Sequence, residues 1–184
     1  LRYLGIDSYY LCDIAAIISK LRFLQTLEAD GNYPIEETID LRKLTSLRHV
    51  IGKFVGELLI GDAANLQTLR SICFDSWNKL KPELLINLRD LFIYEDYTSK
   101  VRRVPMSWAS LTKLRSLRVL KLETDGRNLS LELEEAVRSM DVISPSLESV
   151  TLVRITFEED PMPFLQKMPR LEDLILENCD YSGG

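Results

Sequence analysis

The chain has 184 residues, with 23 Lys plus Arg against 28 Asp plus Glu and a net charge of −5; it lacks the positive excess that nucleic-acid binding requires, so no nucleic acid is expected as a partner. Three cysteines, Cys12, Cys73 and Cys179, with one histidine and no C-x-x-C pair, point to a reducing, cytoplasmic compartment and offer no zinc site. No apolar run approaches the roughly 18 to 20 residues that span a bilayer, and no basic-then-apolar signal segment opens the chain.

Thirty-two leucines against six Phe and two Trp mean that one branched aliphatic residue fills equivalent sites repeatedly. In chain order, the first inward residue of each predicted strand is Leu4, Leu27, Val50, Ile72, Leu91, Leu120, Val150 and Leu174, spaced by 23, 23, 22, 19, 29, 30 and 24 residues. Within three residues before each stands a leucine: Leu1, Leu24, Leu47, Leu69, Leu88, Leu117, Leu147 and Leu171. Two residues after each, the inward site is Ile6, Ala29, Gly52, Phe74, Ile93, Leu122, Leu152 or Leu176. This is the L-x-x-L-x-L pattern of leucine-rich repeats, which run about 20 to 29 residues each. It predicts an α/β solenoid, a horseshoe of about eight repeats forming one domain over residues 1–184. A parallel β-sheet lines the concave side, and short helices and irregular loops return along the convex side.

The returning segments carry helix-start signals. Asp13 can cap residues 14–20, while Pro34 precedes Glu36 and Glu37, and Pro82 precedes Glu83, placing acids where a helix dipole favours them. Leu133, Ala136, Val137 and Met140 form an i, i+3, i+4, i+7 stripe and predict a longer convex helix over 131–140. Residues 94–104 have mixed charge and no such stripe; they read as a rim loop, either a solvated insertion or a contact loop.

Because side chains alternate along a strand, the residues flanking the buried ones line the concave face. The predicted set is Tyr3, Gly5, Asp7; Thr26, Glu28, Asp30; His49, Ile51, Lys53; Ser71, Cys73, Asp75; Asp90, Phe92, Tyr94; Val119, Lys121, Glu123; Ser149, Thr151, Val153; and Asp173, Ile175, Glu177. Eight carboxylates against two lysines give this face −6. A second line, just after each preceding leucine, holds Arg2, Gln25, Arg48, Arg70, Arg89, Arg118, Glu148 and Glu172, a basic lip turning acidic. The lip arginines either pair with neighbouring acids, at about 0 to 1 kcal/mol per exposed pair, or orient an acidic partner. Phe92 and Tyr94 form an aromatic pair beside Lys121 and Cys73, the composition of an interface anchor; a one-residue slip would bury Phe92 instead.

Catalytic signatures are missing. Gly52-Lys53 is followed by Phe54 where a phosphate loop needs a hydroxyl residue, and neither G-x-G-x-x-G nor G-x-S-x-G occurs. His49 with Cys73 or Ser71 and Asp75 is the one conceivable nucleophilic arrangement, and the repeat register already explains these positions as surface. No enzyme activity and no catalytic, cofactor-binding or metal residue is expected. The acid clusters at Glu134-Glu135 and Glu158-Glu159-Asp160 read as helix starts and turns, and Asn128-Leu129-Ser130 as a chance glycosylation sequon.

The segment from Val104-Pro105 through Trp108 and Leu111 to Leu114 resembles the P-x-x-[hydrophobic]-x-x-L-x-x-L turn of plant nucleotide-binding leucine-rich-repeat disease-resistance proteins of the coiled-coil class, with Tyr33-Pro34 to Leu47 a looser copy. Glu159-Asp160-Pro161-Met162-Pro163-Phe164-Leu165-Gln166-Lys167, followed by Leu171 to Cys179, is similar to a stretch near the end of the repeats in the downy-mildew resistance subgroup. The resemblance implies a repeat fragment of a longer receptor that recognises a pathogen effector or a host protein altered by one. It also implies intramolecular contact with a nucleotide-binding domain outside this chain, the only place where ATP or ADP would bind. The Asn or Cys of the family's repeat occurs only as Asn32 and Cys179, so a continuous asparagine ladder is not expected. The alternative from another class is a substrate adaptor of an F-box ubiquitin ligase, which residues ahead of Leu1 would distinguish. End repeats without recognisable caps also predict poor stability of the segment alone.

Overall fold

The computed structural model describes residues 1–31, 33–61, 64–95, 111, 113–124, 145–157 and 160–181. Twelve strands occur among them: β1 (Tyr3–Asp7), β2 (Thr26–Asp30), β3 (Ile39–Asp40), β4 (His49–Phe54), β5 (Leu58–Leu59), β6 (Thr68–Cys73), β7 (Asp90–Tyr94), β8 (Val119–Glu123), β9 (Ser149–Val153), β10 (Thr156–Phe157), β11 (Asp173–Glu177) and β12 (Asp180–Tyr181). Eight of them form one parallel sheet in the order β1-β2-β4-β6-β7-β8-β9-β11. The short β3 and β5 pair with each other on the return side, as do β10 and β12. The horseshoe predicted from the leucines is thus the fold.

Two kinds of bond hold the stack. Alternate residues point inward, so Leu27, Val50, Leu69, Leu91, Leu120 and Val150 are all but fully buried in one continuous apolar core with Leu24, Leu47, Leu66, Leu88, Leu117 and Leu147. Each buried leucine side chain contributes roughly 1.5 to 3 kcal/mol relative to exposure. On the polar side, one backbone ladder enters every strand of the sheet: Gln25 N–H donates to Arg2 C=O, Arg48 to Gln25, Gln67 to Arg48, Arg89 to Gln67, Arg118 to Arg89, Glu148 to Arg118 and Glu172 to Glu148, at 2.7 to 2.8 Å. The inward positions of the two edge strands have a neighbour on one side only: Leu4, Ile6 and Leu174 are half-buried and Leu176 is 40% exposed.

The fourth repeat corrects the sequence-based register. Val50 pairs with Leu69, not Ile72, and Leu69 pairs with Leu91. Leu66-x-x-Leu69 and Leu69-x-x-Ile72 both satisfy the template, and interstrand hydrogen bonding selects the first. The inward layer re-forms farther along, with Phe54 opposite Ile72 and Ile72 opposite Ile93, after register shifts on both sides of β6. Ser71 takes up the irregularity at φ 62°, a left-handed conformation uncommon outside glycine. Gly52 makes room on the other side: a Cβ there would stand 3.2 Å from Phe54 Cε2, so the Phe54 ring occupies space that an inward side chain would otherwise fill.

The convex side is less helical than the helix-start signals predict. Residues 33–38 form no helix; Ile35 instead bridges to Phe54, and the chain continues into β3. In β3, the Arg42 guanidinium holds the Asp40 carboxyl down to about 2 by hydrogen bonding, aided by the Arg42 N–H. The first helix, α1 (Leu11–Ile18), starts ahead of Asp13, which is not its cap. Pro82 does open a 3-10 turn with Glu83 in it. Helix α2 (Phe74–Asn78) buries Trp77 and Ser76, and the Ser76 hydroxyl lies 2.6 Å from Val55 C=O and 2.5 Å from Gly56 C=O, where one proton can serve one acceptor at a time. Helix α3 (Met162–Leu165) follows Pro161. The predicted helix over 131–140, the rim loop beyond Glu95, the turn at Pro105, the sequon, Asn32 and Glu158-Glu159 lie outside the described residues.

Candidate functional site: the concave sheet

Within β7, β8 and β9, Leu91, Ile93, Leu120, Leu122, Val150 and Leu152 face the core, so the alternation sends Phe92, Tyr94, Lys121, Glu123 and Thr151 to the opposite face, each half-buried. Register places Phe92 beside Lys121 and Lys121 beside Thr151. Lys121 Nζ stands 4.7 Å from the Phe92 ring centroid, and the Phe92 and Tyr94 rings are tilted, with centroids 6.3 Å apart. Phe92 is therefore on the open face, not slipped into the core. Lys121 Nζ also lies 3.9 Å from Glu123.

Arg154, which sequence reasoning placed in no role, closes this patch. Its Nη2 is 2.5 Å from Glu123 Oε1, and its Nε donates to Thr124 C=O at 3.0 Å. Thr124 Oγ1 in turn donates to Arg154 C=O at 2.5 Å. The residue sits at φ 53°, and no pattern of leucines announces that turn. Glu123 is consequently held between two cations, so little of its charge is left for a partner.

The corrected register changes the middle of the face. Thr68 and Arg70 take the places assigned to Ser71 and Cys73. Cys73 is buried, its Sγ 3.8 Å from Val55 C=O and 3.6 Å from Ser76 Oγ. Asp75 lies in the first turn of α2 and not on the sheet. Arg70 leaves the lip: its guanidinium pairs with Asp90, which raises the arginine's pKa. Gln67 stands in its lip position, as the backbone ladder requires, between Arg48 and Arg89. The lip is then Arg2, Gln25, Arg48, Gln67, Arg89, Arg118, Glu148 and Glu172, with Arg118 and Glu148 paired at 3.4 Å.

The remaining predicted positions are on the face, except that Val153, at the end of β9, is buried. Ile51 is half-buried, Lys53 exposed, Ile175 46% exposed and Glu177 exposed. Asp30 is in β2 opposite Asp7. With Thr68 and Arg70 substituted for Ser71, Cys73 and Asp75, the face carries seven carboxylates and three cations, a net of −4 where −6 had been expected.

The arrangement that would have supported nucleophilic catalysis is not assembled. His49 Nδ1 is 3.0 Å from Thr68 Oγ1 on the open face, whereas Cys73 is buried with its Sγ against Val55 C=O and Ser76 Oγ. Cys179 is no better placed to react: burial pushes its thiol up, and its Sγ donates to Leu152 C=O at 3.2 Å, tying one repeat to the previous one. Among the described residues, no group of three or more His, Cys, Asp or Glu could hold a metal ion, and no helix is long and apolar enough to cross a membrane.

Comparison with known proteins agrees with this geometry. The "Crystal structure of TLR13-ssRNA13 complex" superposes with a TM-score of 0.52 at 16% identity, over 99% of this chain and 30% of that one, which shows a shared fold. The chain is 79% identical over its whole length to disease resistance protein RPP13 of Arabidopsis thaliana, and 60% and 53% identical to the putative disease resistance RPP13-like proteins 3 and 2 of the same plant. It spans about a fifth of each of these relatives, 22% to 23%. The family model for the leucine-rich repeat region matches residues 1–182. The stacked strands, their buried leucines and this match together make the chain a member of the leucine-rich repeat region family, of the kind found in plant disease resistance proteins.

Proposed function

We propose that this chain is the recognition surface of a plant immune receptor and that its concave sheet binds a pathogen effector or a host protein altered by one. The observation that carries this reading is the half-exposed Phe92 under Lys121, on a rigid sheet and ringed by ion pairs. Partly desolvated aromatics beside fixed charges are the usual anchors of protein interfaces. Similarity to disease resistance proteins supports the setting of plant defence, and the receptor we propose is cytoplasmic. In that setting, the exposed Arg48 and Arg89 on the lip suit an acidic surface, including that of the nucleotide-binding domain whose switch these repeats would restrain. ATP or ADP would be held by that domain and not by the repeats.

Phe92→Ala in the full-length receptor is expected to lower affinity for its activating partner by about thirtyfold or more. Phe23→Ala, at a residue 76% exposed and outside the sheet, should leave it unchanged. Reversing the charge of Asp90 and Glu123 together would set new cations against Arg70, Lys121 and Arg154 and break the ion pairs that frame Phe92. It should thereby abolish partner-dependent activation or make the receptor active without a partner, whereas reversing Asp75 should do neither. Wild-type affinity and wild-type activation in both the Phe92 and the double charge variants would sink the reading.

A further inference from the structure

The corner where β1 and β2 end is chemically unlike the rest of the molecule. Tyr9, Tyr10 and Tyr33 are 65%, 55% and 62% exposed, yet their rings are not scattered. Tyr9 meets Tyr10 edge-on with centroids 5.1 Å apart and Tyr33 at 5.9 Å. The backbone beneath is tightly set: Asp7 Oδ1 accepts the Tyr9 N–H at 2.9 Å. Gly31, at φ 139°, passes so close that a Cβ would lie 2.6 Å from Ser8 Oγ and 3.3 Å from Asp7 Oδ1. Beside them on the sheet, Tyr3 is 55% exposed and donates to Glu28 Oε2 at 2.7 Å.

Exposed aromatic rings held edge to face already carry part of the ordering cost that binding imposes. Their charge setting decides what they suit. The segments 3–10 and 26–31 with Tyr33 contain Asp7, Glu28 and Asp30 and not one Lys or Arg. Negative ring faces next to the carboxylates of Asp7 and Glu28 attract a cation, and a guanidinium best, because it stacks on a ring while its N–H groups reach a carboxylate. The central patch is the opposite case, since Lys121, Arg70 and Arg154 already occupy its acids and its ring.

We propose that this tyrosine corner is a second contact surface that takes an arginine-bearing segment of a protein partner, with Tyr9 and Tyr33 providing the stacking faces and Asp7 the charge. It deepens the recognition reading, on which it rests, by naming the chemistry of one contact. The surface nonetheless acts independently of Phe92.

The test uses the intact full-length protein and a fluorescein-labelled (Arg-Gly)5 peptide as probe, read by fluorescence anisotropy at near-physiological salt. Saturable binding is expected, weaker for (Lys-Gly)5 and missing for (Ser-Gly)5. Tyr9→Ala with Tyr33→Ala should weaken (Arg-Gly)5 by about fivefold to thirtyfold, and Tyr9→Phe with Tyr33→Phe should retain it because the ring faces remain. Phe92→Ala should leave peptide binding unchanged while impairing partner-dependent activation, so the two readings can fail separately. Equal binding by the alanine variant would overturn the proposal by showing that diffuse negative charge suffices. No binding by the intact protein, as when another part of its own chain covers the corner, would overturn it as well.

Discussion

Gly52→Val is expected to unfold the repeats around β4 at markedly lower denaturant, at a cost of about 3 kcal/mol or more. Two separate penalties combine. At φ 155° the backbone lies where a β-branched side chain is strained. The added Cβ would also meet Ala29 Cβ at 2.9 Å, Ala29 C=O at 3.1 Å and Phe54 Cε2 at 3.2 Å, and the backbone atom among these cannot rotate away. Gly5→Ala on the neighbouring strand is the internal control. Its Cβ would be close only to the Tyr3 side chain, with the hydroxyl at 2.8 Å, and that exposed ring can swing into solvent. A urea midpoint that falls steeply for Gly52→Val and little for Gly5→Ala would establish that Gly52 is kept for space and conformation. Equal, small shifts would contradict the packing of Phe54 described above.

Trp77→Ala should be comparably severe, about 3 to 5 kcal/mol for emptying a large buried site. Trp77 is 1% exposed and is the largest fully buried side chain among the described residues. It sits on α2, directly after the strand whose register is irregular, and its neighbour Ser76 is hydrogen-bonded to the Val55 and Gly56 carbonyls of the previous repeat. Losing the indole should therefore loosen this tie between repeats as well as leave a void. The measurement is the unfolding midpoint, compared with an exposed aromatic such as Phe23→Ala, for which no appreciable change is expected.

How much of this could be read in advance depends on which interactions are local. Inward sites such as Leu27, Leu91 and Leu120 repeat a short spacing that burial imposes on each strand by itself, so the parallel sheet and the facing of Phe92, Lys121 and Glu123 followed from the leucines. The fourth repeat did not, because Leu66, Leu69 and Ile72 satisfy two frames three residues apart. The choice lies in hydrogen bonds to residues about 20 positions away in sequence, Val50 and Leu91. That one shift moved Cys73 into the core, Asp75 into a helix and Arg70 from the lip to the face. At Pro34 the helix-start signal was overridden for a similar reason: Ile35 gains a bridge to Phe54, and Ile39 and Asp40 pair with Leu58 and Leu59. Arg154 was invisible because its role follows from a left-handed backbone turn at an ordinary residue. The tyrosine corner joins residues more than 20 positions apart and could be assembled only once β1 and β2 were paired.

The central claim is that a partner is met on the concave sheet, and side-chain footprinting of the full-length receptor with and without its activating partner tests it most directly. Labelling of Phe92, Tyr94 and Ile51 is predicted to fall on complex formation, while Phe23, Leu84 and Ile86, exposed and off the sheet, stay labelled as before. Protection of Phe23, Leu84 and Ile86 with Phe92 and Tyr94 unchanged would contradict the account.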